Sequence, residues 1–345
     1  MNIRNSKKYL VKALVLPLAL QFAVANIFAQ GTDKQAAKYE EKLARVNGID
    51  LHYLDFGGNG TPLIFLQSFH GDAREWVDYD FVGLAPSFAD KNRVLAVTRR
   101  GWGKSKEEGG ARNLDVAVNG EDIVSLMNSL GLQKAVFLGR IPGNMDMTWL
   151  AEHHPERVAG LIYLGLPDIP LRDTTDQDIK KLDNALYTLA CDLGPDSATK
   201  TQLRVDYVPH FIDDAARRMN TPALLFQMVG ETERPSRRLG WFGGLMEEAK
   251  DPNFKICDAG ATEYFIAVAK NAELQKKLRE ELIRLDRTMD YRNGFNRAFG
   301  SNLKIVTEPR SRAGLTSEEQ FTKFWSDILL PFYVGEIRAF LAKIK

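Results

Sequence analysis

Three places in this sequence hold residues whose type and spacing bear on chemistry. The first is Gly139-Arg140-Ile141-Pro142-Gly143, a sharp turn between the apolar run "KAVFLG" and the helical stretch "MDMTWLAEHH". Glycines at both ends allow strand and helix to approach closely, so the central residue is displayed. A serine there, with a base to take its proton and an acid to orient the base, would be a nucleophile for acyl transfer. The central residue is Ile141, which forms no covalent intermediate. Its β-branch is ill suited to positive φ, and Pro142 pushes it toward extended backbone, so the turn is expected to relax. The second place is "FLQSFHG", where Gln67, Ser68, Phe69 and His70 follow an apolar run. A backbone N–H of this loop could hold an oxyanion. Ser68 is a candidate relocated nucleophile and His70 a candidate acid–base, although serine at a strand end is commonly a turn former. The third is "VGETERP" with Glu233, and Glu231 as second choice, followed much later by the basic loop of Arg310 and Arg312.

These residues need elements to position them. "RVNGIDLHYLDFG" gives two short runs around Asn47-Gly48, a hairpin dipeptide. "TPLIFLQS", "RVLAV", "KAVFLG", "GLIYLG", "TPALLFQ" and "NLKIVTEP" are apolar runs of the kind that parallel strands, buried on both faces, require. Between them, Ile123, Leu126, Met127 and Leu130 repeat at helical spacing, with Gly131 as a stop. Val334, Ile337, Phe340, Leu341 and Ile344 mark the apolar side of a closing helix. Alternating strands and helices predict an α/β class: a mostly parallel twisted sheet with helices on both faces. Two stretches break the alternation. Residues 170–220 are expected to form a helical lid and residues 236–300 a second helical insert, with an amphipathic run through Leu274, Leu278, Leu282, Leu285 and Met289.

The order of these elements resembles the α/β-hydrolase fold, in the group with a lid after the sixth strand. "RRGWGKS" is similar to the Arg-Gly-x-Gly-x-Ser loop after the fourth strand, and "HHPERVAGLIYL" to the segment after the nucleophile helix. The resemblance covers about residues 44–345. It implies a serine, aspartate or cysteine where Ile141 stands and an acid at Glu233. It also implies a histidine near Ala313 and His-Gly where Gln67-Ser68 stands. Nucleophile and base are both replaced, and no histidine follows His210. A Glu233–Arg312 ion pair is the expected remnant of the charge relay.

The chain has 345 residues with a formal net charge of +1, which gives no footprint for nucleic acid. "MNIRNSKKYLVK", then the uncharged "ALVLPLALQFAVANIFA", has the make-up of a signal peptide over residues 1–29. Export to the periplasm or outside the cell is expected, with no membrane span after cleavage. Residues 30–43 are expected to be a solvated, helix-prone lead-in. Cys191 and Cys257 could pair or stay separate. No metal-ligand spacing is present and no cofactor is expected. The resulting expectation is a non-catalytic relative that keeps a cleft for a small apolar or anionic ligand. Gln67, Ser68, Phe69, Arg140, Ile141, Pro142 and Arg312 would line it, Trp241 and Phe242 would add apolar wall, and the arginines would form a basic rim. The alternatives are an active hydrolase or cofactor-independent lyase or isomerase with rearranged residues, and an interaction protein whose second insert meets a protein partner.

Overall fold

The computed structural model describes residues 38–68, 72–78, 81–105, 115–140, 142–165, 176–187, 219–227, 237–255, 259–284, 288–310, 315 and 317–344. The expected signal peptide and both cysteines lie outside them. Eight strands form one sheet: β1 (Glu40–Val46), β2 (Ile49–Gly57), β3 (Pro62–Leu66), β4 (Arg93–Val97), β5 (Ala135–Gly139), β6 (Val158–Leu164), β7 (Ala223–Gln227) and β8 (Leu303–Thr307). Their spatial order is β1-β2-β4-β3-β5-β6-β7-β8. β2 pairs antiparallel with β1 and β4, and every other neighbour is parallel. The hairpin turns at Asn47 and Gly48, whose φ values of 43° and 84° are those a two-residue turn needs.

One expectation fails at the start. Residues 40–43 belong to β1, paired from Glu40 against Asp55 to Leu43 against His52, and are not a helical lead-in. Edge pairing with β2 overrides the local composition, and the charged side chains stay exposed on the outer strand, where they discourage further strand addition.

The helices are α1 (Val116–Ser129), α2 (Gly143–His153), α3 (Gln177–Tyr187), α4 (Arg237–Glu248), α5 (Ala259–Ala269), α6 (Ala272–Arg284), α7 (Thr288–Phe299), α8 (Glu318–Phe324) and α9 (Leu330–Leu341). Asp115 caps α1 by accepting from the N–H groups of Ala117 and Val118, and Gly131 follows its end at φ 68°. α1, α2 and α7 cover one face of the sheet, through Ile123, Met127, Met147, Leu150 and Phe295. α8, α9 and two short 3-10 turns, Ala73–Trp76 and Ala85–Phe88, cover the other. Both faces of the central strands are therefore dry, which is why β3 and β5 read as unbroken apolar runs.

α3, α4, α5 and α6 share a separate apolar cluster of Ile179, Leu182, Phe242, Phe265, Leu278 and Leu282. Phe242 is thus interior to this cluster, which corrects its expected place on a cleft wall: it fills the gap between four helices. The long amphipathic run is also divided. α6 ends at Arg284, Leu285 lies outside the described residues, and Met289 stands in α7. Among the described residues, no helix is long and apolar enough to cross a membrane.

Candidate functional site

The turn after β5 lies at the carboxyl edge of the sheet, where the crossovers of an α/β fold leave room for ligands. Its two glycines are sterically required. A Cβ on Gly139 would lie 2.7 Å from the carbonyl carbon of Gly143, and one on Gly143 would lie 2.8 Å from Leu66 Cβ and Leu66 O. The loop after β3 is clipped to this turn. Gly143 N–H donates to Gln67 O at 3.2 Å, and Ser68 forms an isolated antiparallel bridge with Pro142. Hence Gln67, Ser68, Pro142 and Gly143 lie together. Phe69, His70, Ile141, Glu231, Glu233, Arg312 and Ala313 lie outside the described residues.

Pro142 carries a second consequence beside its fixed φ. An oxyanion hole on this scaffold takes one backbone N–H from the residue after the nucleophile position and one from the loop after β3. Proline has no N–H, so the first donor does not exist. The described donor of the second group is already engaged. Ser68 N–H donates to Glu75 Oε1 at 2.5 Å and its hydroxyl donates to Glu75 Oε2. Ser68 is 2% exposed and Glu75 fully buried. Glu75, in the 3-10 turn Ala73–Trp76, is a residue that sequence reasoning missed. Its only signal was a carboxylate directly before Trp76.

The arginines of the loop after β4 are structural. Arg99 makes a two-pronged pair with Asp146 of α2, Nε to Oδ2 and Nη2 to Oδ1, both at 2.8 Å and both buried. Burial pushes the Asp146 carboxyl up, against the charge and hydrogen bonds of Arg99. Arg100 pairs likewise with Asp122 of α1, and Arg99 N–H donates to Gln67 Oε1 at 2.9 Å. A void of about 10 Å³ lies among Gln67, Arg99, Arg100, Asn119, Asp122 and Asp146. Leu51, Leu66, Val97 and Ile123 complete its lining, and its size is near what one water needs. Arg140 is half-buried, with its guanidinium 5.8 Å from the centre of the Phe81 ring. Arg310 is exposed on the turn after β8. Just before it, Glu308 is buried and accepts a hydrogen bond from Tyr333 Oη at 2.5 Å. A hollow of about 700 Å³ opens at the opposite edge of the sheet, beside Lys134, Glu152, His153 and Thr221, away from this turn. Among the described residues, no group of three histidines, cysteines or carboxylates could hold a metal ion.

No family model matches the chain. It is 32% identical over 124 residues to bifunctional epoxide hydrolase 2 of Sus scrofa, covering 36% of this chain and 21% of that protein. To epoxide hydrolase A of Mycobacterium tuberculosis it is 30% identical over 132 residues, covering 38% of this chain and 39% of that one. The match therefore spans well under half of either relative. A solved hydrolase from Pseudomonas aeruginosa superposes over 89% of this chain and 99% of its own, with a TM-score of 0.46 and 17% identity. The strand order and the glycine-flanked turn after β5 are those of the α/β-hydrolase fold, and the partial sequence likeness to epoxide hydrolases agrees with it.

Proposed function

We propose that this chain is a non-catalytic α/β-hydrolase-like protein that binds a small ligand at the carboxyl edge of its sheet. One observation carries the reading: among the described residues, neither position that could hold an oxyanion offers a free N–H. Pro142 has no N–H, and the N–H of Ser68 is bonded to Glu75. Ile141 at the nucleophile position and Ala313 near the base position agree with it. Together they remove the nucleophile, the base and the elbow's own N–H from the set that acyl transfer on this scaffold uses. Small apolar or anionic molecules are the proposed ligand class, with the α3–α6 helices as a lid over the cleft. The basic, then apolar make-up of residues 1–29 supports export to the periplasm or beyond. The mass of the mature chain recovered from its host tests that part.

A second reading has one observation in its favour. The Ser68 hydroxyl donates to a buried carboxylate, as a nucleophile beside a general base would. In that reading the chain is a hydrolase with rearranged residues, acting on an ester or, as its relatives' names suggest, an epoxide. Incubation of the purified chain with p-nitrophenyl acetate, styrene oxide and a fluorophosphonate probe separates the two. The binding reading expects no turnover and no labelling above a heat-denatured control. Labelling at Ser68, or turnover abolished by Ser68→Ala, would overturn it.

A further inference from the structure

Two buried amide side chains at the carboxyl edge of the sheet carry polar atoms without a hydrogen-bond partner. Asn144 is 1% exposed, and neither its Oδ1 nor its Nδ2 makes a hydrogen bond. Gln227 is 4% exposed, and its Nε2 makes none. Folded interiors seldom leave such groups unpaired.

Their places in the fold converge. One turn along α2 from Asn144, the Thr148 hydroxyl donates to Asn144 O at 2.6 Å. That hydroxyl has a single hydrogen, so Tyr163 Oη is the donor in its 2.9 Å contact with Thr148. Tyr163 lies on β6, and Gly165 follows the end of that strand. A helical turn of about 5.4 Å back from Thr148 and two residues on from Tyr163 both lead to the carboxyl edge of the sheet, so Asn144 and Gly165 lie toward the same edge. β6 and β7 are parallel, with Tyr163 opposite Leu225, and Gly165 N–H donates to Phe226 O at 3.0 Å. The same register sets Gln227 beside Gly165. Gln227 shares its face with Ala223 and Leu225, which belong to the core that contains α2 and α7. Gly165, at φ 89°, has no side chain to fill the space beside Gln227. The layer next to them is aromatic: Phe295 of α7 meets the Tyr163 ring edge-on at 4.9 Å, and Phe299 meets it at 6.1 Å.

We infer that Asn144 and Gln227 form a subsite for a neutral ligand group that offers a hydrogen-bond acceptor and donor side by side, namely a carboxamide or lactam on an apolar body. This deepens the ligand-binding reading above, narrowing its ligand class to neutral molecules with an apolar body and setting the anionic ones aside, and rests on it. Asn144 presents one donor and one acceptor whichever way its amide is turned, and Gln227 adds a donor. A ligand carbonyl accepts from Gln227 Nε2 and Asn144 Nδ2, and a ligand N–H donates to Asn144 Oδ1. Neither side chain carries a charge, so nothing in the pair offsets the desolvation of a carboxylate. The nearby Asp146 is turned to Arg99. The aromatic layer suits an aryl or alkyl body.

Calorimetric titration of the full chain with benzamide, 2-piperidone and benzoate tests this. The expected result is binding of the two amides at least tenfold tighter than benzoate. Asn144→Leu and Gln227→Leu should each weaken benzamide at least tenfold and leave the melting temperature unchanged or higher, because each removes unpaired polar atoms. Should either variant fail to fold, the ¹⁵N side-chain amide signals of the wild-type chain serve instead: two NH₂ pairs should shift with benzamide and not with benzoate. Equal binding of benzoate, benzamide binding that survives both variants, or no amide binding at millimolar concentration would overturn the subsite. Fluorophosphonate labelling is read separately. Labelling alongside amide binding that depends on Asn144 would sink the non-catalytic reading and leave the subsite standing.

Discussion

Ser68 gives both of its hydrogens to one side chain, the buried carboxylate of Glu75. The contact ties the loop after β3 to the 3-10 turn that follows it. Glu75→Leu leaves the Ser68 N–H and hydroxyl without acceptors, and each buried polar group so stranded costs roughly 1–3 kcal/mol. Urea unfolding should show a lower midpoint, and Glu75→Gln, which keeps one acceptor, should fall between. An unchanged midpoint in Glu75→Leu would show that the clamp contributes nothing.

Restoring the hydroxyl at the elbow should not restore chemistry. Ile141→Ser lacks a histidine after β8, and Ile141→Ser with Pro142→Ala regains an elbow N–H but still no base. Both should hydrolyse p-nitrophenyl acetate no faster than the parent. Activity in the single variant would mean that a base lies elsewhere.

The Arg99–Asp146 pair is buried on both sides, so removing one partner is worse than removing both. Arg99→Met alone should destabilise by about 3–5 kcal/mol, because an uncompensated carboxylate is left in the interior. Arg99→Met with Asp146→Leu should recover most of that loss. The recovery, read from unfolding curves of both variants, is the decisive quantity.

His52 gives the fold a pH dependence. Its ring is fully buried, with Nε2 2.7 Å from Glu41 Oε1 and Nδ1 2.7 Å from Thr98 Oγ1. Nε2 therefore holds the hydrogen toward the carboxylate, and the Thr98 hydroxyl donates to Nδ1, an arrangement that protonation breaks. Burial pushes the imidazole below its ordinary value, against the pull of Glu41. In the window from about pH 6.5 down to the folded value, the unfolded chain binds more protons, so stability falls with falling pH. The melting temperature should begin to drop below pH 6.5, and His52→Gln should flatten that limb. Asp55, held low by Arg93, Lys42 and the Gly57 N–H against its own burial, adds a further loss below about pH 4.

Gly143→Ala should destabilise by about 1–3 kcal/mol, as overpacking does, because its Cβ would meet Leu66 at 2.8 Å. A neutral result in thermal melts would mean that the turn yields.

Much of the sheet was legible because its signals are local. Asn47-Gly48 marks the hairpin, and the dry runs of β3, β5 and β6 follow from cover on both faces. The charged β1 was not legible, because its pairing with β2 outweighs its composition. The α6–α7 boundary was masked by spacing: Leu282, Leu285 and Met289 keep a helical interval across the end of α6. At the site, the two glycines and Ile141 stand out in the sequence. The missing N–H of Pro142 is equally plain there, once the residue is read as a donor as well as a φ constraint. Glu75 was hidden because a contact across a turn, seven residues away, has no periodicity. Asn144 and Gln227 are related only through the register of β6 and β7, which no local pattern encodes.

The separate apolar cluster of α3, α4, α5 and α6 bears on how the protein comes apart. Among the described residues, its interior side chains pack against one another and do not join either sheet core. Loss of the cluster therefore strips little cover from the sheet. The chain should lose order in two cooperative steps, with amides of α3–α6 exchanging as one group ahead of those in β3, β5 and β6.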